Sequence, residues 1–319
     1  MGAILTALGT MGAIVALGWV LGCRGTLGPA APAVLARVVF TVATPCLLLV
    51  TVAHADLHLL LSRAALVTAL STTTVVLVAV AVLRGLWHRP AADVTVAALA
   101  SSYVNAGNLG LPLAVYLLGD AVAVVPSLLY QLLVLAPVAF AVLDAREPPD
   151  HASGPPARGP RRGAVALRAV LLRTLRNPII VGALAGLLLA ALPWTPPEVL
   201  LGPFGIVGAA AAPLALLTFG MSLAVPRTVD ARPVRRELAL VVVLRSLVHP
   251  LLAGAIGGVL GLEGATLLGV TAMAALPTAQ NVLVYAIQYG RQQPLARDAG
   301  LVTTVLAVPV LLVVTALLG

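Results

Sequence analysis

Lysine is absent from this chain of 319 residues, and Asp and Glu together number only 11. Cysteine occurs twice, at Cys23 and Cys46, without ligand-like spacing, so neither a disulfide framework nor a metal site is indicated. There is no Walker A sequence, no GxGxxG, no HExxH and no CxxC pair, which leaves no signal for a phosphate loop, a dinucleotide fold or a zinc hydrolase. No nucleophile, base or metal constellation suggests an enzyme, and no cofactor is expected. No Asp or Glu falls in the middle of an apolar run. Charged residues are 9% of the chain against 61% hydrophobic, with a mean hydropathy of +1.08. No soluble globular domain has that balance, and several apolar runs of membrane-spanning length indicate a polytopic membrane protein.

The net charge of +8 comes from arginine alone. In a soluble protein it would suggest nucleic acid. Here topology explains it, and no nucleic-acid partner is expected. The apolar pattern predicts ten spans at 4–21, 33–53, 63–86, 93–118, 121–143, 178–193, 199–225, 237–260, 264–288 and 298–318. The sixth is short for a bilayer, so an earlier start, before Asn177, is an option. MGAILTALGTMG lacks a positive n-region and a small-residue cleavage site, so it reads as a retained first span. One long polar connection, 144–177, rich in Arg, Pro and Gly, separates five spans (1–143) from five spans (178–319). With both termini outside, all but Arg63 and Arg245 of the 19 arginines fall on the inner side. Positive residues in short loops mark the cytoplasmic face, so the central loop is expected to be cytoplasmic and the membrane to be the plasma (inner) membrane. The loop is a basic linker facing anionic lipid or a partner-binding segment.

The chain is organised around Ser101 to Gly119, SSYVNAGNLGLPLAVYLLG. An apolar span is interrupted there by Asn105, Gly107, Asn108, Gly110 and Pro112. Gly costs a helix about 1 kcal/mol against Ala and Pro about 3. Within a bilayer the freed backbone groups find no water, so broken helix is tolerated only where it is buried or lines a cavity. The ninth span, LPTAQNVLVYAIQYG, is interrupted in the same way at Pro277, with Thr278, Gln280 and Asn281 beside it. Pro45 and Pro213, Pro112 and Pro277, and Pro137 and Pro309 stand at nearly one offset in matching spans. Because each half holds an odd number of spans, such a repeat enters the membrane inverted, as in many secondary transporters. Pro112 and Pro277 are expected in the first turns of the second half-helices, where a missing N–H is harmless. Two opposed half-helix N-termini would then present positive dipole ends to an anion, above all a carboxylate.

The candidate substrate-binding residues are Asn105, Asn108, Pro112, Pro277, Gln280, Asn281 and Arg245. The two asparagines of the fourth span can donate to a substrate or stitch the break together. Of Gln280 and Asn281 only one need face the site, and Asn281 is preferred. Gly107 and Gly110 supply unusual dihedrals or close crossing. Arg245, about two turns into the eighth span, either snorkels to the interface or attracts an anion from within the membrane. His249, four residues on, is a packing residue or a proton relay. Tyr103, Tyr130 and Tyr285 line a cavity or pack. Gly182 to Gly186 and Gly254 to Gly258 fit close helix packing.

NAGNLGLPLAVYLLGD, with APLALLTFGMSLA at Ala212 to Ala224 and LPTAQNVLVYAIQYG, resembles the auxin efflux carrier family of permeases over nearly the whole chain. Bacterial members of that family are commonly named malate or malonate permeases. The resemblance implies an all-α polytopic membrane protein whose ten transmembrane helices form two inverted five-helix repeats, with broken helices 4 and 9 crossing. It implies a scaffold of helices 1, 2, 6 and 7, often a homodimer interface, and a transport domain of helices 3–5 and 8–10 that shifts like an elevator. Asn105, Pro112 and Pro277 match the crossover positions. The implied activity is secondary transport of a small mono- or dicarboxylate, with membrane lipid as the other partner. A sodium-coupled symporter of the bile-acid type, distantly similar in plan, stays open, as does a non-transporting receptor or scaffold.

Overall fold

A computed structural model describes residues 2–54, 62–110, 113–114, 121–144, 177–192, 197–224 and 235–319. The central basic loop at 145–176 and Pro112 lie outside these residues. What is described is helical, apart from one isolated antiparallel bridge. The first half contains α1 (Gly2–Arg24), α2 (Ala31–Ala53), α3 (Arg63–Leu86), α4 (Ala91–Ser102) and α5 (Val125–Asp144). The second contains α6 (Pro178–Ala191), α7 (Glu198–Ala224), α8 (Arg235–Val259), α9 (Gly264–Ala274), α10 (Asn281–Gln288) and α11 (Gln293–Leu318). Among the described residues, α2, α3, α5, α7, α8 and α11 are long and apolar enough to cross a membrane.

Three of the prolines inside these helices follow a local distortion. Five-residue π-helical stretches at Val39–Ala43, Gln131–Leu135 and Leu244–Val248 end two residues before Pro45, Pro137 and Pro250. A proline ring collides with the carbonyl four residues back and offers no N–H to it. Widening the preceding turn relieves both problems and keeps the helix continuous in an apolar medium. α6 begins at Pro178, and Oδ1 of Asn177 accepts the Ile179 N–H at 3.1 Å. Asn177 therefore caps the described helix of the short sixth span.

Two groups of helices emerge from the packing. In the first, α1 lies against the second half of α7, and α2 against α6 and the first half of α7. Glycines set these crossings. A Cβ on Gly18 would meet the Leu217 backbone, and one on Gly22 would lie 3.2 Å from the Met221 Cα. In the other pair, a Cβ on Gly182 would come within 2.8 Å of the Pro45 Cα, and one on Gly186 within 2.8 Å of the Leu49 carbonyl. Two small-xxx-small stripes thus bring backbones together where lipid gives no hydrophobic drive to association. The 254–258 stripe differs: Gly258 meets open space, and Gly257 is the tight position, facing Leu267.

In the second group α3 packs on α4, α5, α8 and α9, while α11 packs on α4, α8, α9 and α10. Arg89, after α3, forms an ion pair with buried Glu237 in the first turn of α8, and Arg236 lies 4.9 Å over the Trp87 ring. The end of α3 and the start of α8 therefore share one end of the bundle. The largest buried apolar cluster runs through α4, α5 and α10 and extends to Phe40 of α2, whose ring meets Phe140, Tyr285 and Tyr289 edge to face.

Gly182→Val is expected to destabilise the protein by at least about 1–3 kcal/mol, the usual cost of overpacking, because backbone cannot yield as a side chain does. Gly9→Val, where nothing lies within 4 Å, should be nearly silent. Melting temperatures of the two purified variants in detergent measure the difference.

Candidate functional site

α4 stops at Ser102, and Tyr103 turns extended with φ −79° and ψ 104°. α9 stops at Ala274, and α10 begins only at Asn281. Between these ends the two chains cross as a minimal antiparallel pair centred on Val104 and Thr278. Asn105 N–H donates to the Pro277 carbonyl at 2.9 Å, and Ala279 N–H donates to the Tyr103 carbonyl at 3.0 Å. Pro277 thus lies in the extended segment, four residues ahead of α10, and not in its first turn as expected from sequence. It has no N–H to return to the Asn105 carbonyl. That carbonyl instead accepts from Leu109 and Gly110, in the π-helical turn Ala106–Gly110 that follows.

The outward-facing N–H groups of the two central residues are satisfied by side chains from elsewhere. Val104 N–H donates to Oε1 of Gln131 on α5. Thr278 N–H donates to Oγ1 of Thr303 on α11 at 3.0 Å, and the Thr303 hydroxyl passes its own proton to the Ala299 carbonyl at 2.7 Å. The Thr278 hydroxyl donates to the Ala100 carbonyl at 2.7 Å, an acceptor freed because α4 ends.

Arg245 is fully buried and does not snorkel. Its Nη1 donates to the Ser102 carbonyl at 3.1 Å, and its Nη2 to the Ala274 carbonyl. One guanidinium therefore joins the C-terminal ends of α4 and α9. Those ends carry the negative poles of the two helix dipoles, so the cation is matched twice, by hydrogen bonds and by field. Beside the positive ends of the second half-helices, expected from sequence, the negative ends of the first come to the same place, and Arg245 answers them.

The remaining candidates divide. Asn105 is 4% exposed, and its Nδ2 finds no partner among the described residues. Gln280, 5% exposed, likewise has an unpartnered Oε1, whereas Asn281 in the next position is partly exposed. Asn108 stands in the π-helical turn, its side chain outside the described residues, and Pro112 is wholly outside them. Neither Gly107 nor Gly110 has a positive φ, so unusual dihedrals do not explain them. Gly110 serves close approach, since a Cβ there would lie 2.9 Å from Val124 and 3.0 Å from Leu276. Tyr103 and Tyr285 pack edge to face with ring centroids 6.1 Å apart, and Tyr130 bonds to Thr73 at 2.6 Å. Gln131 and Thr303 were not singled out by sequence. Gln131 had a signal, as a lone amide within an otherwise apolar span, while Thr303 had none among the many threonines. Among the described residues no three His, Cys, Asp or Glu side chains cluster to hold a metal ion.

The model of a family described as membrane transport protein matches residues 4–315. The chain belongs to that family. A protein of Rhizobium meliloti (strain 1021) named "Putative malonate transporter" is 31% identical over 264 residues, covering 78% of this chain and 75% of that protein. The chain is therefore a multi-pass membrane transport protein, of the family that the fourth-span and seventh-span motifs resemble. Large apolar side chains are left exposed on α7, α8 and α11, such as Ile206, Val259 and Leu317, a surface suited to lipid rather than water.

Replacing Gln131 by Leu leaves the buried Val104 N–H without an acceptor, at a cost of about 1–3 kcal/mol. Arg245→Met removes donors from two helix ends at once and is expected to destabilise the transporter more than Gln131→Leu. Thermal unfolding of both variants, followed by the monodispersity of the heated sample, ranks them.

Proposed function

We propose that the transporter is a permease for a small carboxylate, of the size and charge of malonate, and that the anion binds beside the crossover. The observation that carries this reading is the buried amide of Asn105. Its Nδ2 donor has no acceptor among the described residues, and it sits where a helix has been opened inside the membrane. An unmade buried hydrogen bond is costly, so a donor held in this way is suited to an incoming oxygen acceptor. Asn108, in the same turn, and Gln280 and Asn281, at the start of α10, complete the proposed site. The N-terminal pole of α10 adds positive field. Arg245 acts one layer behind, by holding the two helix ends apart from the anion's path and by lending long-range positive potential.

The proposed architecture is ten spans in two inverted repeats, counting α4 with its continuation and α9 with α10 as one broken span each. Paired features support it. Gln131 holds Val104 from the fifth span, and Thr303 holds Thr278 from the tenth. Gly18 and Gly22 of the first span cross the proline-bearing seventh, and Gly182 and Gly186 of the sixth cross the proline-bearing second. The proposed scaffold is α1, α2, α6 and α7, and the proposed moving body is the rest. Movement of that body as an elevator would carry the crossover, with its polar bonds intact, across the membrane. In the proposed orientation both termini are outside and the basic loop is cytoplasmic, with Arg89, Arg235 and Arg236 on that side.

Malonate counterflow in proteoliposomes tests the reading. Asn105→Ala and Asn108→Ala should each lower it roughly 10-fold to 100-fold, the loss expected for one hydrogen bond to a charged group, with expression and melting temperature near those of the parent. Unchanged counterflow in both variants would sink the assignment.

A further inference from the structure

Against the crossover, the second group of helices holds a small polar cavity. Its volume is about 10 Å³, room for one water molecule. Thr68, Ser71 and Thr72 of α3, Ser127 and Gln131 of α5, and His249 of α8 line it, and Val104 and Ala274 close it against the crossover. So many hydroxyl and amide groups around so little space are unusual in an apolar bundle, where each needs a partner. His249 is 2% exposed. Its Nε2 lies 3.2 Å from Oγ1 of Thr72, and its Nδ1 has no partner among the described residues. The π-helical stretch Leu244–Val248 sets its direction, since the ring follows that widened turn directly.

We infer that this cavity is the proton site of the transporter, and that His249 carries one proton with each anion. The inference rests on the carboxylate reading above. With Nε2–H donated to Thr72, the Nδ1 lone pair is free. A hydronium in the cavity water gives up its proton to that lone pair: its O–H bond breaks as Nδ1–H forms, leaving an imidazolium that donates Nε2–H to Thr72 and Nδ1–H to the water. The reverse step, from Nδ1–H to water, releases the proton on the other side of the membrane.

The charges around the ring decide the coupling. On its own helix His249 faces Arg245, one π-turn back. α3, α5, α9 and the crossover bring only neutral groups to the cavity, by the residues named above. α4 and α11, which also pack on α8, place their acidic and basic residues near their starts: Asp93, and the pair Arg297 and Asp298 bonded at 3.0 Å. A proton on His249 therefore adds a second cation beside Arg245 with no carboxylate at hand. An anion seated at the crossover supplies the missing negative charge. Anion and proton thus favour each other's binding, and by linkage each does so equally. Cavity and crossover belong to one packed unit, so both would move together.

The test uses the full chain in proteoliposomes at zero membrane potential, with malonate as probe. The lumen is held at about pH 8 and the exterior at about pH 7, both above the range where ordinary carboxyls titrate. One proton per anion predicts about tenfold accumulation of malonate by the wild type, because one unit of gradient is one factor of ten. His249→Gln, whose amide can still bond Thr72, should lose the pH dependence of malonate counterflow and let malonate equilibrate without accumulating. His249→Asn is the second variant should Gln fail to fold. Accumulation by the variant equal to wild type, or none by the wild type, overturns the proton site. If wild-type counterflow of malonate is absent, the carboxylate reading fails by itself. The proton site is then read from the difference in melting temperature between wild type and His249→Gln, from about pH 5 to 8. A sloping difference upholds a titrating His249, and a flat one overturns it.

Discussion

Two helices that end inside a bilayer release carbonyl and N–H groups that water cannot reach, and the organisation of this transporter follows from how those groups are answered. The carbonyls of Ser102 and Ala274 go to Arg245, and that of Ala100 goes to the Thr278 hydroxyl. The crossing segments satisfy each other through Asn105 to Pro277 and Ala279 to Tyr103. Gln131 and Thr303 take the two N–H groups that point away. Every one of these bonds lies within α3–α5 and α8–α11. Breaking any of them deep in the membrane would cost about 1–3 kcal/mol with no solvent to compensate. The crossover and its supports are therefore one rigid piece, and rigidity here is a matter of hydrogen-bond closure more than of apolar packing.

Much of this could be read from the chain, for a definite reason. Gly, Asn and Pro inside an apolar run are costly anywhere, so the runs at 93–118 and 264–288 announced their own interruptions, and the described helices do stop at Ser102 and Ala274. What sequence could not give was register across space. Nothing in VVVLRSLVHP says that its arginine meets two helix ends from other parts of the chain. Pro277 looked like a helix start because its lack of N–H is harmless there, but it is equally harmless in an extended pair whose opposite carbonyl is already occupied. The same lack of N–H inside α2, α5 and α8 produced π-helical turns, which hydropathy does not register. Among the described residues six helices meet the length and apolarity of a span by themselves; α4, α6, α9 and α10 are too short, and α1 meets them only over Gly12–Arg24, which is short of a span.

Contacts between the two helix groups are of a different kind, and that difference bears on motion. Phe40 of α2 meets Phe140, Tyr285 and Tyr289 through ring edges, which tolerate sliding better than a directed bond does. Polar bonds cross the boundary as well. Nδ2 of Asn177, at the start of α6, donates to the Tyr289 hydroxyl at 3.2 Å, and that hydroxyl donates to Asp144 at 2.8 Å. Nη1 of Arg297 donates to the Ser222 carbonyl at 3.2 Å. Both involve residues that flank loops, at the end of α5, the start of α6, the end of α7 and the start of α11. A body that slides past a scaffold must exchange such bonds, and near the membrane surface water can take them over at small cost. The bonds that would be costly to exchange are those of the crossover, and they run inside the group of helices proposed to move. Closed polar bonds within and replaceable ones at the rim are what the proposed elevator movement would require of a broken-helix carrier.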